Sequence, residues 1–192
     1  MFELFDPRRR PDAADHRPGG TGRGSAGPVK AVGIDPKDFT LCMRIVIVGY
    51  GNPLRGDDGV GPEIARRLAA EIDDPEVHIL IELQLRPELA ELLSRAELAI
   101  FIDASSESQP GEVRVEEVHL SEPEQSFTHQ FAPPMLLMTA KVLYGRIART
   151  YLVSIGGQNF GLSEGLSEAV KQGIPKAIQA VRQLLERPYH HR

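Results

Sequence analysis

Three short runs of apolar residues, each too brief for a buried helix and each followed by a helical pattern, set the limits on this fold. RIVIVG at 44–49, VHILIEL at 77–83 and LAIFID at 98–103 are rich in β-branched residues and bounded by Gly, Pro or Asp. Runs of that kind read as strands covered on both faces of a sheet. Between them, PEIARRLAAEI repeats Ile64, Leu68 and Ile72 at helical spacing, with Pro62 allowed in the first turn. PELAELLSRA places Leu89, Leu92 and Leu93 on one helical face. Strands alternating with helices imply parallel βαβ units. The expected fold class is α/β, a three-layer α/β/α sandwich around a mostly parallel sheet of about five strands.

The later segments extend the pattern. GEVRVEEV alternates apolar and charged residues, as an edge or antiparallel strand with one wet face does. PPMLLMTAKVLYG reads as a helix stopped by Gly145, and TYLVSIGG as the last strand. LSEGLSEAVKQGIPKAIQAVRQLLE reads as a long C-terminal helix, kinked or broken near Gly173-Ile174-Pro175. No internal repeat is present.

The first forty or so residues differ. RRRPDAADHRPGGTGRGSAGP offers almost nothing to bury and cannot offset its ordering entropy. Residues 1–42 are therefore expected to be a disordered extension, or sequence upstream of a true start at Met43, ahead of one domain at 43–187. A transit peptide is disfavoured by Asp12, Asp15, Pro18, Gly19 and Gly20. Neither a secretory signal nor a membrane-length apolar run is found. The net charge of -5 speaks against nucleic acid as a partner, and the single Cys42 fits a reducing compartment. A cytoplasmic protein without a membrane partner is the expectation.

Three places could carry chemistry. The loop Gly49-Tyr50-Gly51-Asn52-Pro53-Leu54-Arg55-Gly56-Asp57-Asp58-Gly59-Val60-Gly61 joins the first strand to the first helix. Open α/β sheets bind ligands at this carboxyl edge. Either aspartate could cap the helix; with two, one can cap while the other enters the crevice. A dinucleotide site fails on the third glycine, which is out of register, and on two anions where pyrophosphate would sit. Glu82 would be its ribose carboxylate. Asp103 closes the third strand, and a strand order of 2-1-3 would turn Asp58 and Asp103 into one crevice. His129, in SFTHQFAPP, precedes the third helix. Asp58, Asp103 and His129 together make an oxygen-and-nitrogen set for a divalent metal with open positions. No serine sits in a nucleophile elbow, and Ser105 and Ser106 read as turn residues, so metal-assisted hydrolysis is the remaining route.

These motifs resemble a known family. IVIVGYGNPLRGDDGVG, QLRPELAELLSRAELAIFIDA and THQFAPPMLL are similar, in order and spacing, to the hydrogenase maturation endopeptidases, over about Met43 to Val181. The resemblance implies an aspartyl endopeptidase-like hydrolase that removes a C-terminal extension from a nickel-loaded [NiFe]-hydrogenase large-subunit precursor. It implies that nickel arrives with this substrate and is met by Asp58, Asp103 and His129, the catalytic and metal-binding trio. Asn52, Gly56 and Asp57 would shape the loop, with Asp57 offered as the general base. Family members often carry glutamate where this chain has Asp58, so the carboxylate here reaches one methylene less. The alternative is a nickel-sensing chaperone module that binds the large subunit without cutting it.

Overall fold

The computed structural model describes residues 44–120 and 132–186. Strands β1 (Ile45–Tyr50), β2 (Val77–Glu82), β3 (Leu98–Ser105), β4 (Val113–Val118) and β5 (Arg149–Gly156) form one sheet in the order β2-β1-β3-β5-β4. Every pairing is parallel except β4 with β5. GEVRVEEV is thus the antiparallel edge strand that its alternation implies. The 2-1-3 order is present, with the turn of direction at β1 and β3.

Side-chain alternation in the strands builds two cores. Ile47, Leu98, Ile100 and Ile102 face α1 (Val60–Glu71) and α4 (Glu168–Leu185). Val46, Val48, Ala99 and Phe101 face α2 (Leu89–Arg95) and α3 (Pro133–Tyr144). Central strands buried on both sides have no polar face to present, which is why they read as unbroken apolar runs. The layers are those expected.

Two helix ends repay attention. α3 stops where Gly145 takes a left-handed φ of 74°, a conformation glycine adopts without a Cβ penalty. α4 starts later than its pattern suggests: Gly165 has a φ of 83°, and Ser167 is the N-cap, its hydroxyl accepting from the Val170 N–H. Nor is α4 broken at Pro175. Pro175 lies on the exposed face, where the Lys171 carbonyl it leaves unbonded can meet water.

α1 sits unusually close to the sheet. A Cβ on Gly61 would lie 2.4 Å from the carbonyl oxygens of both Ile102 and Tyr50. Only glycine allows this approach, and it brings the start of α1 down onto the carboxyl edge of β1 and β3. No described helix is long and apolar enough to cross a membrane. The extension at 1–42 lies outside the described residues.

Candidate functional site

Beyond β1 the chain cannot enter α1 directly. Gly51 turns it with a φ of 134°, and one turn of 3₁₀ helix, Gly56–Gly59, delivers it to α1. Neither aspartate caps the helix: Gly59 is its N-cap and makes no side-chain bond. The expectation of a capping aspartate is corrected here, because both carboxylates are already engaged.

Asp57 is wholly buried. Its Oδ2 accepts from the Gln158 and Asn159 N–H groups at 2.9 and 3.0 Å, and its Oδ1 from the Ser167 N–H at 2.7 Å. Burial alone pushes its pKa up, but the three backbone donors outweigh burial and hold it below the ordinary value. A carboxylate so occupied is a structural tie, and it does not line the cavity where a general base would act. It binds the β1–α1 loop to the β5–α4 loop. Further bonds follow the same seam: Gly56 N–H to Ser163 O at 2.9 Å, Asp57 N–H to Asn159 O at 2.8 Å, and Ser163 N–H to Leu54 O at 3.1 Å.

Asp58 turns the other way. Its Oδ2 accepts from the Asn52 N–H at 2.8 Å, and it lines a cavity of about 260 Å3 together with Tyr50, Arg55, Asp103 and Phe160. Asp58 and Asp103 therefore do share one crevice. Asp103 is brought there by register: Gly49 lies beside Ile102, so the next residues along, Tyr50 and Asp103, meet at the sheet's edge. The Tyr50 hydroxyl donates to the Asp103 carboxylate, and the Ala104 N–H donates to its Oδ1 at 2.7 Å. Burial pushes the Asp103 pKa up to about 6, with the negative charge of Asp58 adding to the rise and the two donors opposing it. Burial, and then Asp103 itself, push the Tyr50 phenol up.

Tyr50 and Arg55 are site residues that the sequence reading passed over. Arg55 lines the cavity, and its Nε donates to the Phe160 carbonyl at 3.3 Å. Among the described residues it has no carboxylate partner. Ser105 is not a turn residue as expected but the last residue of β3, paired with Gly156, and its hydroxyl accepts from the Glu107 N–H at 3.2 Å. Glu82, the residue a ribose would need, is paired with Arg86 at 2.9 Å. His129 lies outside the described residues. Among the described residues no group of three metal-ligating side chains forms; the pair Asp58 and Asp103 is what they contribute.

No family model and no curated protein matches the chain. Solved structures do. HybD, the hydrogenase maturating endopeptidase from E. coli, aligns with a TM-score of 0.61 at 23% identity, over 74% of this chain and 92% of its own. The [NiFe] hydrogenase maturation protease HycI from Thermococcus kodakarensis gives 0.62 at 26% identity, over 78% and 96%. The [NiFe] hydrogenase maturation protease HybD from the same organism gives 0.54 at 27% identity, over 74% and 99%. The resemblance to the hydrogenase maturation endopeptidases holds in three dimensions. The match spans nearly the whole of each of these structures.

Two outcomes follow. Asp57→Ala leaves three part-buried N–H groups without their acceptor and should cost about 3 kcal/mol in urea unfolding; a loss near zero would contradict the tie. Asp103 has a folded pKa above its ordinary 3.8. The stability this protonated form contributes is complete below that value and is lost as pH rises through about 6. Asp103→Asn should therefore gain in melting temperature relative to wild type between pH 4 and pH 7, whereas a constant difference would contradict the burial.

Proposed function

We propose that the chain is an endopeptidase of hydrogenase maturation, and that its substrate is the nickel-loaded large-subunit precursor, trimmed of its C-terminal extension. The observation that carries this reading is the pair Asp58 and Asp103 in one crevice of a maturation-endopeptidase fold. Two of the matched structures, at 26% and 27% identity, are named proteases of [NiFe] hydrogenase maturation.

The chemistry of the pocket suits a cation delivered by the substrate. Asp103 is a carboxyl whose burial disfavours charge, and its neighbour Asp58 is a second anion. An entering divalent cation neutralises that repulsion and draws Asp103 into its charged form. The pocket thus discriminates for a substrate that brings positive charge to this point. In the reading proposed here that charge is nickel, held by Asp58, Asp103 and His129 with positions left open. His129 belongs to the set by its place in the chain, directly ahead of α3, whose other end leads into β5. Tyr50 positions Asp103 by its hydrogen bond, and Arg55 places a guanidinium at the same cavity, next to where a peptide carbonyl would develop negative charge.

The test is mass spectrometry of the nickel-loaded precursor after incubation with the full-length protein. Wild type should release a short C-terminal peptide, and Asp103→Asn, although folded, should release none. Full cleavage by Asp103→Asn would refute the site. Precursor that binds wild type yet stays whole would favour the non-cutting chaperone instead.

A further inference from the structure

A protease must receive its substrate as extended chain, and among the described residues one side of this sheet carries no partner strand. β2 is the edge strand opposite β4 and, among the described residues, pairs only with β1. The carbonyls of Glu76 and Glu82 accept from the Ile45 and Gly51 N–H groups at 3.0 and 3.1 Å. Peptide groups alternate in direction along a strand, so those of Ile79 and Ile81 turn away from β1. Among the described residues no strand pairs with that side. VHILIE also contains neither proline nor lysine, two of the devices that close an edge.

The edge leads to the site. From Ile81 and Leu83, which are 44% and 69% exposed, a groove of about 670 Å3 runs past Arg55 to Asp58. It shares Arg55, Asp58, Leu83 and Gln84 with the cavity that holds Asp103. Strand edge, groove and carboxylates form one continuous path, with Ile81 and Leu83 beside the Glu82–Arg86 ion pair along the strand and Asp58 and Asp103 at its end.

We propose that the open edge of β2 receives the segment of the substrate polypeptide beside the scissile bond as an added strand, with main-chain bonds to Ile79 and Ile81. This rests on the protease reading above. The edge supplies grip without regard to side-chain identity, while Ile81 and Leu83 offer apolar contact to alternate residues of the bound segment.

Ile81→Pro tests it, since proline removes an outward N–H while leaving the β1 ladder whole. With full-length protein and nickel-loaded precursor, Ile81→Pro should raise KM about tenfold or more and leave kcat within about twofold. Ile81→Val, which keeps the N–H and most of the apolar contact, should raise KM far less than Ile81→Pro. A folded Ile81→Pro with the KM of wild type overturns the proposal, as does an Ile81→Val that loses as much. Amide exchange needs no edge variant: in Asp103→Asn with precursor bound and uncut, the Ile79 and Ile81 amides should become protected relative to the free variant. Unchanged exchange with precursor bound overturns the docking edge. Wild type that neither binds nor cuts precursor overturns the protease reading first, and the docking edge with it.

Discussion

The buried carboxylate of Asp57 holds the site together. Two loops that leave different strands must keep a fixed relation if Asp58, Arg55 and Phe160 are to line one cavity. Asp57 provides this by taking three N–H donors from the β5–α4 loop and the start of α4. Charged acceptors make stronger bonds than neutral ones, and in a buried setting none of the three is exchanged for water. The acid that faces away from the cavity thus fixes the one that faces it. That division of labour explains why adjacent aspartates are present where one would suffice for a cap.

Asp103 is held under the opposite conditions. Its side chain is mostly withdrawn from water beside another carboxylate, and Tyr50 and the Ala104 N–H only partly offset that. A group so placed is poised for positive charge, in the way that perturbed carboxyls at sheet edges commonly mark function. The close descent of α1 at Gly61 and the register of β1 on β3 put it there. Geometry set by packing therefore becomes electrostatics at the edge.

The architecture was largely legible because its signals are local. Doubly covered strands read as apolar runs, β4 read as alternating, and Gly145 announced its own helix end. The crevice was legible as well, because strand order alone turns the ends of β1 and β3 toward each other. What escaped depended on contacts between distant segments. No spacing rule links Asp57 to Gln158 and Ser167, so its carboxylate was assigned to a cap or to proton transfer. Tyr50 was read as part of a glycine loop, since only the strand register sets it against Asp103. At α4 two Ser-Glu pairs, at Ser163 and Ser167, offered rival starts, and the left-handed Gly165 decides for the second. Pro175 suggested a break that its exposed position makes needless.

In the proposed reading, the crevice of Asp58 and Asp103 responds to positive charge carried by the substrate. The most direct measurement compares nickel-loaded and nickel-free large-subunit precursor, each incubated with the full-length wild-type protein and weighed by mass spectrometry. Only the loaded precursor should lose its C-terminal peptide. Equal trimming of both would contradict it, because two carboxylates in a half-buried crevice would then have no cation to recognise.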